Sequence, residues 1–407
     1  MNFIRNICVY YLLAWPLTPP LRVGTCWRIL FVLAFLGFLF TAANALSRRL
    51  QLCFATTALY TCFVTMLWLR YGELQWPVFI ATFIYYAFSF IFIYYWEVGF
   101  DKFKSCFWVL LGSFAFWNFT TILALIADPT ICRRLGNSGD DLSAVKLSTM
   151  ELLMAGGFAT VYCAALLIPR MLDLLWRVRR TIVLTVPKKE KIAAIAFLVT
   201  GIVVVAWASY SIAFSVAVLG IALWCLRKRL SFPILIAATL ISVVIFVLSK
   251  DLIYSLLLHI AGDNLFYVNK IESLFNPASS RMEAEGRFEL WTVSLVSFGE
   301  NPIWGAGKAG GHSGILDLLG LYGGILGGGM VWLFFLPFFA LWKKMKATGT
   351  KGILIAAWVP FTILLFLNPL QFAYAVVVFA IFPYIVTQYY LPRSSDQMSA
   401  NLVKFRR

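Results

Sequence analysis

Two side chains between Ser279 and Gly329 have the chemistry for group transfer. Arg287 carries a guanidinium that can fork two phosphate oxygens. His312 is one of only two histidines in the chain, and histidine is the side chain type whose unperturbed charge change lies nearest neutral pH. His312 follows the run Gly305-Ala306-Gly307-Lys308-Ala309-Gly310-Gly311 and precedes Ser313. It reads as a general base, as a phosphate or sugar contact, or as a structural histidine at a membrane interface. Arg281 and Arg287 together could clamp a pyrophosphate, or they could pair with the neighbouring Glu283, Glu285 and Glu289. Arg133 and Arg134 are a second adjacent pair, read as an anion contact or as charges tolerated in a short loop. Asp317, five residues after His312, joins them as a substrate-contact candidate, because an ionisable group at a membrane boundary is a functional candidate by default. His259 closes an apolar run and reads as structural.

The glycines do not form a nucleotide loop, because Ala309 follows Lys308 where that pattern needs Ser or Thr. They read instead as sites of tight turning and close backbone approach. No ligand spacing for a metal is visible, so the site is read as metal-free. The eight cysteines are scattered, with no paired motif, which argues against a zinc or redox centre.

The elements that must hold these residues are membrane helices. The chain is 61% hydrophobic and 13% charged, against about 25% charged in a soluble domain. A helix needs about 20 apolar residues to cross the hydrocarbon. Apolar runs at 3–17, 27–46, 50–69, 76–96, 105–126, 150–172, 191–209, 211–226, 231–249, 315–341, 352–367 and 372–391 give twelve expected spans. The whole chain, 1–407, then reads as a single all-α polytopic membrane domain.

Placing both termini in the cytoplasm puts 23 of the 34 Lys and Arg there, as the positive-inside rule requires. The net charge of +16 is explained by this topology and by anionic lipid, not by nucleic acid. No cleavage site follows the first apolar run, so no removable signal is expected. The segment 392–407 is a basic cytoplasmic tail. The large outer loop is 250–314. Within it, 284–299 predicts an amphipathic helix with Phe288, Trp291, Leu295 and Phe298 on one face, lying on the outer leaflet. Asn301-Pro302 stops it.

Three elements occur in order: Gly286-Arg287 with Trp291, then Asn301-Pro302-Ile303-Trp304-Gly305-Ala306-Gly307, then His312-Ser313 at the head of a Gly-rich span. This series, on this topology, resembles the O-antigen polymerase and O-antigen ligase superfamily. The resemblance covers roughly 281–324. It implies a GT-C-like membrane glycosyltransferase of the bacterial inner membrane with a periplasmic active site. The implied donor is a sugar chain on undecaprenyl pyrophosphate, already activated, so that no cofactor is needed. Arg287 would bind the pyrophosphate and His312 would act on the acceptor hydroxyl. Arg281, Arg133, Arg134 and Asp317 remain candidates for further substrate contacts. A chain-length-regulating co-polymerase is an implied partner.

Ligases of this superfamily carry an arginine at the outer turn between the seventh and eighth spans. Here that turn is Ser209-Tyr210-Ser211, which favours the polymerase over the ligase. A flippase for the same lipid-linked sugar is a third reading. It is disfavoured because charge is nearly absent from the middles of the spans.

Overall fold

The computed structural model describes residues 2–18, 25–128, 157–180, 188–208, 210–227, 284–347, 350–370 and 372–391, with short pieces between them. The ninth expected span (231–249), the outer-loop residues Arg133, Arg134 and Arg281, and the tail lie outside the described residues.

The described residues are mostly helical, with no strand among them. The helices are α1 (Asn2–Ala14), α2 (Thr25–Leu46), α3 (Leu50–Tyr71), α4 (Trp76–Val98), α5 (Lys104–Ala127), α6 (Phe158–Arg180), α7 (Lys188–Trp207) and α8 (Ser211–Leu226). They continue as α9 (Ala284–Glu300), α10 (Gly314–Tyr322), α11 (Gly328–Ala347), α12 (Lys351–Leu367) and α13 (Phe372–Tyr389). Among the described residues, seven helical runs are long and apolar enough to cross a membrane, and α8 and α12 are shorter apolar helices. The protein is a polytopic membrane protein.

One of the seven runs, Cys26–Tyr71, is a hairpin. Phe31 and Phe35 meet Phe83, and Phe38 meets Tyr94. Contacts that advance together along both chains make α2 and α4 parallel. Tyr60, by contrast, meets Phe79, Phe83 and Tyr86, while Thr57, one turn earlier, bonds Tyr86. That register makes α3 antiparallel to α4. The reversal is the short 3-10 turn Ser47–Arg49, where Arg49 donates to Glu97 at 2.7 Å. The run is thus two antiparallel helices, divided where the sequence divides it.

The chain forms two compact units. The first comprises Met1–Cys225, Trp332–Leu364 and Gln371–Arg407, and the second comprises Leu226–Val331 and Leu365–Leu370. In the first unit, charges expected on the cytoplasmic side meet at one end. Arg5 lies over the Tyr94 ring, Lys344 over the Trp96 ring, and Lys104 pairs with the buried Glu190, which also accepts the Tyr389 hydroxyl. Deeper in the unit, α5, α6 and α7 meet at Gly201, where an added Cβ would lie in ordinary contact, 3.6 Å, with Ala164 and Asn118.

The second unit departs from the expected pattern. The run 315–341 reads as one span, yet the structure breaks it after α10, where Gly323 has φ of 70°. A π turn over Gly323–Gly327 follows before α11. Leu318 and Gly327 are nine residues apart, or ~13 Å along a straight helix. Here a Cβ on Gly327 would sit 2.1 Å from the Leu318 carbonyl oxygen, so the chain turns back on itself. Hydropathy counts apolar residues. The reversal depends on one backbone conformation that glycine adopts without steric cost.

Candidate functional site

The second unit holds the stretch with Arg287 and His312. Helix α9 begins at Ala284, so Arg287 lies in its first turn, one turn ahead of Trp291. The face of α9 that meets the following chain is Leu290, Ser294 and Ser297. Both serines are buried, while Val293, Leu295 and Val296 are exposed. The expected aromatic face is therefore not the whole apolar surface of this helix. Trp291 packs on Phe366 with ring centroids 5.2 Å apart.

After Asn301-Pro302 the chain winds back along α9 as a glycine loop and then enters α10. Three residues of the loop take positive φ: Gly305 at 70°, Gly307 at 83° and Gly311 at 82°. Two contacts show why side chains are excluded. A Cβ at Gly310 would lie 2.1 Å from the Leu290 carbonyl oxygen, and one at Gly320 would lie 2.7 Å from the carbonyl oxygens of both Lys308 and Ser294. Backbone thus packs directly on backbone.

Two serines fasten the loop. Ser297 Oγ donates to the Gly320 carbonyl at 2.8 Å and accepts the Lys308 amide at 3.1 Å. Ser294 Oγ accepts the Gly310 amide at 3.0 Å and donates to Asp317 Oδ1 at 2.7 Å. Asp317 also accepts the Gly311 amide on Oδ1 at 3.3 Å and the Ser313 amide on Oδ2 at 3.0 Å. Ser313 caps α10 by accepting the Leu316 amide at 3.2 Å. The carboxylate lies in the first turn of α10, where the helix dipole favours negative charge.

These bonds bear on phosphate binding. A loop that cradles phosphate turns its amides toward the ligand. Here the amides of residues 304–308, 310, 311, 313 and 314 all donate within the protein. The start of α10 already carries Asp317. An anionic substrate at this site would therefore be met by side chains.

His312 stands out from this framework. Its ring is exposed, while its carbonyl accepts the Trp291 indole N–H at 3.5 Å. The fold thus brings the loop of His312 onto the helix that carries Arg287, and it brings Asp317 to the same loop. His259 is exposed in a short described piece. A hollow of about 500 Å³ on α9 is lined by Glu289, Thr292, Val293, Val296, Ser297, Glu300 and Lys308, and neither His312 nor Asp317 lines it. Among the described residues no three His, Cys, Asp or Glu side chains gather as a metal set.

Sequence reasoning missed Ser294 and Ser297. Their signal is two small polar residues three apart in the apolar run Val293-Ser294-Leu295-Val296-Ser297-Phe298, which places both on one helix face.

In the first unit, Tyr210 donates its hydroxyl to the Cys132 carbonyl at 2.9 Å. Cys132 immediately precedes Arg133. No protein-family model matches the chain, and no curated protein matches it. Fold and composition define its class as an all-helical, multi-pass membrane protein.

Proposed function

We propose that the protein is a membrane glycosyltransferase that polymerises undecaprenyl-pyrophosphate-linked oligosaccharide repeat units. The product would be an O-antigen or capsule-type polysaccharide, made at the periplasmic face of the inner membrane. The observation that carries the reading is the meeting of His312 and the Arg287 helix across a loop most of whose amides are already engaged. Such a site meets a lipid pyrophosphate with side chains and leaves an imidazole exposed for an acceptor.

In the reaction, an acceptor hydroxyl oxygen attacks the anomeric carbon of the donor sugar. A new C–O bond forms as the anomeric C–O bond to pyrophosphate breaks. His312 takes the hydroxyl proton, and polyprenyl pyrophosphate leaves with the bonding pair. Arg287 stabilises the charge that develops on the leaving group. Arg281 is a further candidate for that role. Arg133 and Arg134 are candidates as well. A chain-length-regulating partner belongs to the same reading.

The test is rescue. The gene is placed in a polymerase-null and a ligase-null host of matching sugar type, and surface polysaccharide is run on a gel. A ladder restored only in the polymerase-null host is the expected result. Attachment restored only in the ligase-null host would instead make the protein a ligase. Arg287→Ala and His312→Ala should abolish the ladder while the protein still inserts at normal levels. Full-length polymer from either variant removes that residue from the mechanism.

A further inference from the structure

Asp317 is a buried carboxylate whose described contacts all lie around His312. It accepts the amide of the residue before the histidine, Gly311, at 3.3 Å and the amide of the residue after it, Ser313, at 3.0 Å. Its third donor, Ser294 Oγ at 2.7 Å, comes from α9, the helix whose first turn contains Arg287. A buried carboxylate persists only where donors offset its desolvation, and here three donors and the start of a helix do so.

We infer that Asp317 is a positioning residue for His312. Its carboxylate straddles the histidine, pins the backbone on both sides, and fixes the loop to the arginine helix through Ser294. The imidazole is left exposed toward substrate. The loop of the candidate general base is thereby fastened by one side chain to the helix that carries the candidate pyrophosphate-binding arginine. This rests on the function proposed above and extends it. It assigns Asp317 to the support of the site, not to contact with the lipid pyrophosphate.

Asparagine has the same shape but offers one acceptor oxygen and an N–H₂ group. In Asp317→Asn at least one of the amides of Gly311 and Ser313, or the Ser294 hydroxyl, loses its acceptor or faces another donor. Misplacement by about 1 Å can reduce turnover about 10²-fold.

The experiment uses the full chain in lipid nanodiscs with isotope-labelled histidine. The protein has two histidines, so a His259→Gln background leaves the His312 ring as the only imidazole signal. In Asp317→Asn that signal should shift or broaden, and it should do so less in Ser294→Ala. With a lipid-linked repeat unit as substrate, Asp317→Asn should lower kcat about 10- to 100-fold with KM nearly unchanged. A pyrophosphate contact would instead raise KM. An unmoved His312 signal in both variants, or a change in KM alone, overturns the inference. If Asp317→Asn fails to fold, Ser294→Ala decides on the same two readouts. Should His312→Ala retain full polymer, the proposed chemistry fails, while the ring signal still reports whether Asp317 positions the loop.

Discussion

Two regions of this protein are packed on opposite plans. Around α4, contact is made by large rings. Tyr60 stacks on Tyr86 at 4.5 Å, Phe35 meets Phe83 edge-on at 5.4 Å, and Tyr86 meets Phe90 at 4.9 Å. Around α9 and α10, contact is made by backbone, with glycine where chains touch and serine where they are fastened. Rings fill volume and can shift by rotamer changes. Backbone has no such freedom, so the second plan fixes positions more tightly and tolerates less. The scaffold uses the forgiving plan, and the candidate site uses the strict one.

The contrast can be broken most severely at Gly310. In Gly310→Ala the new methyl must occupy the position of the Leu290 carbonyl, so either the loop or α9 must move. We expect a loss of at least about 3 kcal/mol and no polymer. Hydrogen exchange along α9, which reads this unit separately from the rest, should show early opening. Exchange like wild type would mean that the strict plan is not strict.

Ser297→Ala should do less. It leaves the Gly320 carbonyl and the Lys308 amide without their serine partner, at a cost of about 1–3 kcal/mol. Protease sensitivity of the loop over residues 301–313 is a direct measure, and resistance equal to wild type would count against the clamp. The smallest effect belongs to the aromatic region. Phe83→Leu nearly conserves volume and should cost about 1 kcal/mol, with polymer length unchanged. A larger loss in a thermal melt than that of Ser297→Ala would reverse the comparison.

Much of the scaffold was legible in the sequence, because a membrane helix announces itself by composition. The runs 105–126, 211–226 and 284–299 coincide with the helices Lys104–Ala127, Ser211–Leu226 and Ala284–Glu300. The hairpin at Ser47–Arg49 was marked by the adjacent Arg48 and Arg49. The break at Gly323 was not legible. It lies in a run as apolar as any span, and nothing in hydropathy separates a glycine that eases helix packing from one that reverses the chain. At the site, the types of Arg287 and His312 singled them out, and the fold brings their segments together. Asp317 was visible as an ionisable group, but its partners were not. Two of its donors are backbone amides, which leave no trace in sequence, and the third, Ser294, looks like any small residue in an apolar helix.

Backbone contact also governs how such a protein can change over generations. On α3, Phe54 and Leu69 face outward, 73% and 81% exposed, and any apolar residue of roughly similar size serves there. At Gly310, Gly320 and Gly327 a single added carbon collides with a carbonyl. One chain therefore carries two clocks. The lipid-facing helices can drift until little of their sequence is shared with any ancestor, while the glycines and serines around His312 stay nearly still. Descendants would resemble one another in a few short words separated by unrelated text.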